Sequence, residues 1–272
     1  MRIRSSPVFL AVIVGVLWAN SAYSQIVLSA DELMKHVIEN MTKNDILKTE
    51  FVSFERTRKE YDLKSDGGCK ASDQKGNCTN PLETETSKHG NAYPAAQRGD
   101  DGGYSVNLGK ILILGYDYVF MERNSDYYRG LPEKYQFECD CYVFWFGSKA
   151  VLPNIDLIVP LNASAKDRGI HEAAIRMSGF MYIDKEYLFI RRYVGELTRS
   201  FNPDVPYAPD SLAKITMSSM ILDQEIAAEL NNIVILTNTE IMYQIRQGWF
   251  FGHRTRKLVW EWHNYRLNQP VR

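Results

Sequence analysis

The stretch that most constrains the fold is residues 179–197, GFMYIDKEYLFIRRYVGEL. Aromatic and β-branched residues fill both halves, and the polar triplet Asp184, Lys185 and Glu186 separates them. This pattern predicts a strand, a tight turn and a second strand that returns beside the first. An antiparallel strand usually keeps one polar face, but here both faces are apolar at almost every position. One face can pack into a core, and the other needs a second layer, a partner or something bound against it.

Other segments supply one predicted helix and further strands. Leu33, Val37, Ile38 and Met41 recur at helical spacing, which predicts a helix over residues 30–42. The Asn231-Asn232 step predicts a tight turn. Strands are predicted over residues 49–63, 110–123 and 134–147, and in the C-terminal runs 231–251 and 253–267. Residues 210–230 fit either a helix capped by Asp210 or a strand followed by a turn.

The order of these elements indicates the fold class. Strands follow one another with few helices between them, so a parallel βαβ arrangement is excluded. We therefore predict a mainly β protein in which an N-terminal helix accompanies a strongly curved or partly closed antiparallel sheet.

Residues 1–24 have the pattern of a secretory signal peptide. Arg2 and Arg4 precede an apolar run that is too short to span a bilayer stably, and the small-residue pattern at 22–24 follows it. We expect an exported protein, periplasmic or secreted, whose mature chain is a single domain over residues 25–272 without a transmembrane segment. The formal net charge is −1, and removing Arg2 and Arg4 leaves −3, which argues against a nucleic-acid partner.

The four cysteines raise the question of disulfide pairing. Cys69 and Cys78 lie within residues 64–103, a segment rich in Gly, Asp and Asn that we interpret as a loop insertion. Export favours disulfides. A bridge from Cys69 to Cys78 is one prediction. Because a direct Cys139–Cys141 bridge would be strained, cross-pairing of the two pairs stays open. The spacings do not match a zinc site, so no metal is expected.

Recognised catalytic motifs are missing from the sequence. It contains no nucleophile elbow, phosphate loop, zinc-protease helix or dinucleotide fingerprint, and its five histidines are scattered singly. We therefore predict no catalytic residues and no cofactor.

Aromatic and basic side chains supply two sets of binding candidates. The first set could line an apolar cavity, although ordinary core packing explains aromatic stripes equally well. The second could contact an anionic headgroup, although charges also protect exposed strand edges. The cavity candidates are Phe180, Tyr182, Phe189, Trp260 and Trp262, and the headgroup candidates are Arg191, Arg192 and Arg254.

Three segments carry a resemblance to a known superfamily. They are the helix with Phe51-x-x-Phe54-x-Arg56 after it, the hairpin SGFMYIDKEYLFIRR, and the closing run MYQIRQGWFFGHRTRKLVWEWHNYRL with Tyr265. Together they resemble the LolA/LolB-type lipoprotein carriers and their periplasmic relatives. The resemblance implies an unclosed half-barrel with an apolar concave face, partly covered by helix, that holds acyl chains or an apolar partner segment. Residues 64–103 have no counterpart in it, nor is the lid-controlling arginine of the classical carrier matched.

These observations favour a non-catalytic binding protein of the cell envelope. Its partner would be a lipid, a lipidated protein or another apolar ligand. A structural or regulatory module that grips an envelope protein without a small ligand is the alternative, and an enzyme with a site assembled only by the fold is a further one.

Overall fold

The computed structural model describes residues 29–93, 108–159, 165–202, 213–247 and 253–268. The signal peptide predicted over residues 1–24 lies outside these segments. So do parts of the predicted loop insertion and of the C-terminal strand pair.

Nine strands form one antiparallel sheet in the described part of the chain. Their spatial order is β2-β1-β9-β8-β7-β6-β5-β4-β3. β2 and β3 are therefore the edge strands, and the curved sheet is not closed. This architecture confirms the predicted mainly β fold. The strands are β1 Val52–Asp62, β2 Glu83–His89, β3 Tyr116–Met121, β4 Cys141–Ser148, β5 Met177–Asp184, β6 Ile190–Leu197, β7 Ala213–Ala227, β8 Ile233–Gln247 and β9 His253–Leu267.

The N-terminal helix α1, Ala30–Phe51, begins at a capping box. The Ser29 hydroxyl accepts the Glu32 N–H at 3.2 Å, and the Glu32 carboxylate accepts the Ser29 N–H at 2.9 Å. The predicted end near residue 42 was wrong. Ile46, Leu47 and Phe51 are exposed, so the buried apolar period stops while the helix continues. No helix within the described segments is long and apolar enough to cross a bilayer.

The predicted strand over residues 110–123 is divided in the structure. Its first part belongs to helix α2, Leu108–Leu114, and β3 follows after Gly115. Ile111 and Leu112 are fully buried in the core cluster that includes residues of α1. A short apolar run fits a strand or a buried helix equally well, so the sequence did not distinguish them. Two further helices, α3 Asp126–Arg129 and α4 Ala165–Ala174, were not predicted.

Residues 64–93 are more ordered than the sequence indicated. Residues 83–89, which the sequence placed in a loop, form the edge strand β2 and pair with β1. Most side chains of β2 are exposed. A strand that does not bury one face shows no alternation of apolar and polar residues, so it left no signal.

The C-terminal half follows the strand prediction. Residues 213–227 form β7, which settles the helix-or-strand ambiguity in favour of a strand. Asn231 and Asn232 both adopt positive φ angles, 59° and 60°, in the turn before β8. Asn tolerates this left-handed backbone, so the predicted turn is confirmed.

The strand register defines two faces of the sheet. We call inner the face on which α1 lies, and outer the opposite face. Side chains that are directly opposite on neighbouring strands share a face. One row on the inner face consists of Phe144, Met181, Tyr193, Leu222, Thr239 and Trp260, and the adjacent row on the outer face consists of Trp145, Phe180, Val194, Ile221, Glu240 and Val259.

Both faces of the β5–β6 hairpin are buried, each by a different layer. Met181 and Ile183 belong to the inner core cluster with residues of α1, α2 and β4. Phe180 and Tyr182 lie in an outer cluster, covered by the connection from β3 to β4, residues 122–140. A second protein layer therefore takes up the apolar surface that the sequence left unassigned. That layer contributes Tyr128, Leu131, Tyr135, Phe137 and Cys139.

Glu196 on β6 links the outer face to this connection. Lys134 Nζ and Tyr135 Oη each donate to its carboxylate at 2.5 Å. Burial acts to raise the pKa of Glu196, but these hydrogen bonds outweigh it and hold the pKa below its ordinary value. A carboxyl with a depressed folded pKa stabilises the fold above its unfolded pKa and loses that contribution as the pH falls through the folded value.

Replacing Glu196 with glutamine should therefore lower the free energy of unfolding at pH 7, by at most about 1 kcal/mol because the pair is partly exposed. The difference from wild type should shrink below about pH 4, where the carboxyl protonates. Urea unfolding at several pH values measures it, with Glu133→Gln on the same connection as the control. A difference that does not change with pH would contradict the assignment.

Candidate functional site

The middle of α1 is joined to the sheet by two asparagine side chains. Asn40 Nδ2 donates to the carbonyl oxygen of Tyr187 at 3.1 Å, in the β5–β6 turn. Asn44 makes a reciprocal pair with Val234: its Nδ2 donates to the carbonyl oxygen at 2.8 Å, and its Oδ1 accepts the N–H at 2.7 Å. These contacts hold the helix across the start of β8 and the end of the hairpin. Sequence reasoning missed them because the partners of the two asparagines are 147 and 190 residues away in the chain.

A small pocket lies behind these hydrogen bonds, between α1 and the sheet. Its volume is about 40 Å³. That is room for about one water molecule and far below the roughly 300–1,000 Å³ of typical ligand pockets. An acyl chain therefore requires α1 to move away from the sheet. The lining residues are Asn40, Met41, Asn44, Asp45, Tyr187, Phe189, Gln224 and Val234.

The five predicted cavity residues are separated by the structure. Phe189 lines the pocket beneath α1. Phe180 and Tyr182 belong to the packed outer layer and do not face the gap between helix and sheet. Trp260 and Trp262 follow each other on the inner face of β9, at the side of the sheet nearer β1.

The two tryptophans lie directly beside arginines of β1. Trp260 is opposite Arg58, and Trp262 is opposite Arg56. Trp260 is only 5% exposed. The inner face thus passes from a broad apolar floor, through two indole rings, to a border of guanidinium groups.

We call the strip formed by Arg56, Arg58, Glu60 and Asp62 of β1 and Arg256 of β9 the β1–β9 border. It carries a network of ion pairs. Arg58 contacts Glu60 at 2.8 Å and Glu83 at 3.1 Å. Arg256 lies 3.8 Å from Glu60 and 3.6 Å from Asp62. Its Nε and Nη1 atoms are buried without a hydrogen bond to the described protein. Arg256 therefore has hydrogen-bonding capacity that its long ion pairs do not use.

Asp62 is the acidic end of this network. A hydrogen bond from Lys70, followed by the charge of Arg256, holds the pKa of Asp62 below its ordinary value. Lys70 belongs to the loop closed by Cys69 and Cys78, so that loop is attached to the border through an ion pair.

The three predicted headgroup arginines do not converge. Arg191 lies over the ring of Phe189 at 5.8 Å. Arg192 is opposite Tyr182 and contacts Asp223 at 3.2 Å, which places it on the outer face. Arg254 is exposed near the start of β9. Of the three, Arg254 is nearest to the charged border, two residues before Arg256.

Both disulfides are local in sequence. Cys69 pairs with Cys78 and Cys139 pairs with Cys141, with Cα–Cα distances of 5.2 and 5.3 Å. The first pairing was predicted. The cross-pairing that we kept open is wrong, because the chain turns between Cys139 and Cys141 and brings the two Cα atoms within ordinary disulfide range. In the segments that the structure describes, no three His, Cys, Asp or Glu side chains are grouped so that they could hold a metal ion.

Comparisons with known proteins return little. No protein-family model and no curated protein matches the chain. Among solved structures, the chain is similar to the crystal structure of a DUF1329 family protein from Desulfovibrio piger. The two share 12% sequence identity with a TM-score of 0.29, and the match covers 88% of this chain and 95% of the other.

Proposed function

We propose that this protein is a non-catalytic binding protein of the cell envelope that holds a lipid, a lipidated protein or another apolar ligand on its inner face. The observation that carries the proposal is the chemistry of that face. Its apolar floor includes Met220, Leu222 and Leu258, continues to Trp260, and ends at the arginines of the β1–β9 border. An amphiphile presents chemical groups in the same order, with an apolar body followed by a charged or polar head.

The junction with α1 is the proposed entrance. Met41 and Phe189 line the pocket there, and the Asn44–Val234 hydrogen bonds close it. Opening the entrance exchanges these bonds for bonds to water, so its net cost is only about 1 kcal/mol for each hydrogen bond, apart from any apolar surface exposed. The polar head would lie farther along the inner face, toward Arg256, which is opposite Tyr243 and whose buried nitrogens retain hydrogen-bonding capacity.

The fold and the disulfides support the same proposal. An open antiparallel sheet with a helix on one face is what the resemblance to the LolA/LolB-type carriers implies. Two disulfides suit an oxidising compartment outside the cytoplasm.

Overfilling the entrance tests the proposal. Replacing Met41 with tryptophan should weaken binding of an apolar fluorescent dye at least about tenfold, which corresponds to about 1.4 kcal/mol. The control is Ile46→Trp on the same helix, where the side chain is 55% exposed and an indole has room. Circular dichroism melts exclude unfolding, since overpacking itself costs about 1–3 kcal/mol. Solvent extraction of the purified protein and mass spectrometry should also recover bound lipid.

Two results would contradict the proposal. One is a purified protein that carries no lipid and binds no dye. The other is a Met41→Trp variant that is folded and binds dye as tightly as the Ile46→Trp control.

One surface favours the alternative, a protein-interaction module without a small ligand. Ile46, Leu47 and Phe51 on α1 are 55%, 44% and 46% exposed, which is unusual for large apolar side chains so close together. If this surface binds an envelope protein, Leu47→Ser should reduce recovery of that protein from delipidated envelope extract. Met41→Trp should then leave the recovery unchanged.

A further inference from the structure

The Cys139–Cys141 disulfide differs from an ordinary structural bridge in its surroundings. It links residues only two positions apart, at the point where the connection over the outer face enters β4. Cys141 is 4% exposed, whereas Cys139 is half-buried. An incoming thiolate therefore reaches the sulfur of Cys139 more easily than that of Cys141.

Arg123 places a positive charge directly beside the more accessible sulfur, that of Cys139. Its Nη2 lies 3.3 Å from Cys139 Sγ and donates to the carbonyl oxygen of Phe137 at 2.6 Å, which fixes the guanidinium. A guanidinium beside a cysteine favours the thiolate over the thiol and increases its reactivity.

Other charged and hydroxyl groups also surround the pair. Arg192 lies over the Phe137 ring at 5.2 Å, on the side of β6. Lys185 contacts Asp140, the residue between the two cysteines, at 2.5 Å, so that carboxylate is neutralised locally. Tyr128 and Tyr182 belong to the same buried cluster as the cysteines, Glu138 precedes Cys139 in the chain, and Asp184 is opposite Cys141 on β5. Burial raises the pKa of Tyr182, so that hydroxyl stays neutral.

An open apolar groove lies farther along the same face, beyond Val143. Cys141, Val143 and Trp145 alternate on the outer face of β4, with Met121 and Val119 opposite the last two. The groove has a volume of about 230 Å³ and is lined by Val119, Met121, Tyr127 and Trp145. Tyr127 and Val119 are 61% and 51% exposed. An extended polypeptide segment held here would have to continue past Val143, about 13 Å at the usual strand rise of ~3.3 Å per residue, to bring its thiols to Cys139.

We propose that Cys139 and Cys141 form a redox-active pair that oxidises two thiols of a polypeptide segment held in this groove. A substrate thiolate attacks Cys139 Sγ, the Cys139–Cys141 bond breaks, and Cys141 leaves as a thiolate that takes up a proton. The second substrate thiolate attacks the substrate sulfur of the mixed disulfide and releases the Cys139 thiolate beside Arg123. The substrate loses two electrons and gains a disulfide, and the protein gains the two electrons as a dithiol. This activity goes beyond the binding function of the inner face.

The reactivity of the reduced wild-type protein gives the first test. Iodoacetamide labelling between pH 5 and 9, followed by peptide mass spectrometry, should show Cys139 labelled before Cys141. When the labelling rate of Cys139 is plotted against pH, the midpoint of the curve should lie at least one pH unit below the value of about 8.5 for a free cysteine. Arg123→Met should move the midpoint toward 8.5. Arg129→Met, an exposed arginine of the same connection that pairs with Asp126, is the matched control and should not.

Oxidation of a synthetic dithiol peptide with apolar flanks gives the second test. The oxidised protein should react at least about tenfold faster than a Cys139→Ser/Cys141→Ser variant, which keeps the Cys69–Cys78 bridge. Equal rates for the two proteins would overturn the proposal. The proposal would also be overturned if the labelling midpoint of Cys139 in wild type lay near 8.5 and Arg123→Met did not change it. That measurement does not depend on whether the double variant folds.

Discussion

Replacing Gly179 with alanine is expected to destabilise the protein by more than about 4 kcal/mol, a large part of the roughly 5–15 kcal/mol that stabilises a typical domain. Gly179 on β5 is directly opposite Gly195 on β6. A Cβ atom at position 179 would lie 1.9 Å from the carbonyl oxygen of Val194 and 3.1 Å from Gly195 Cα. Both contacts are with backbone in the middle of the sheet, so no side-chain rotation relieves them. Urea unfolding, or the yield of soluble protein, measures the effect.

Gly109 in α2 supplies the control for this prediction. The nearest atom to a Cβ there is Ile38 Cγ2 at 3.9 Å, an ordinary van der Waals distance. Because alanine is favoured over glycine in helices by up to about 1 kcal/mol, Gly109→Ala should be neutral or slightly stabilising. A Gly179→Ala protein within about 1 kcal/mol of wild type would show that β5 and β6 are farther apart than described.

Replacing Phe146 with alanine should cost about 3–5 kcal/mol. Phe146 is fully buried on the inner face, with its ring centroid 4.6 Å from that of Tyr116 and 4.7 Å from that of Tyr193. Removal of the ring leaves a cavity between two tyrosines whose hydroxyls share a hydrogen bond of 2.9 Å. That bond fixes their positions, so the core collapses poorly around the cavity.

Phe120 on β3 is the matched control for this substitution. It is 54% exposed, although it touches Phe144 on the same face at a centroid distance of 5.7 Å. Phe120→Ala should therefore cost only about 1–2 kcal/mol, the value of its two aromatic pairs with Phe144 and Tyr142. Equal losses for the two variants in urea unfolding would mean that Phe146 does not lie in a continuous core.

The elements that could be predicted are those whose signal is local. The β5–β6 hairpin was evident because apolar strands flank a turn, and Asp184 Oδ1 accepts the N–H groups of Glu186 and Tyr187 at 3.0 and 2.9 Å in that turn. Helix α1 followed from the helical spacing of Leu33, Val37, Ile38 and Met41, and the turn before β8 followed from the pair Asn231-Asn232. Each of these depends on residues within a few positions of one another.

Other elements depend on neighbours that the sequence does not identify. Residues 108–114 form a helix because they pack with α1, and β2 is stabilised by pairing with β1 and not by an apolar face. The alternation along the hairpin divided its side chains into two sets, but it did not show which set faces the helix side of the sheet. The connection over residues 122–140 decides this, since it covers Phe180 and Tyr182 and leaves Met181 and Ile183 to the helix side.

The candidate site was predictable only in part, for the same reason. Phe189 was identified as an aromatic of the hairpin, but its neighbours in the pocket, Asn40 and Asn44, belong to a helix far away in sequence. The contact between Arg123 and Cys139 joins two segments whose arrangement depends on the outer layer. The sequence also gave no reason to prefer Arg256 over Arg254.

The strand order has a consequence for how this chain acquires its structure. β1 pairs with β9, and the contact between Ser53 and Arg266 joins residues 213 positions apart. Such distant pairings form slowly because a long segment must first be ordered. Since α1 runs directly into β1, the pairing that anchors the C-terminal end of α1 forms only after β9 has been synthesised. Until then the apolar floor at that end of the sheet lacks its neighbouring strands, and this interval is when the chain is most prone to aggregate.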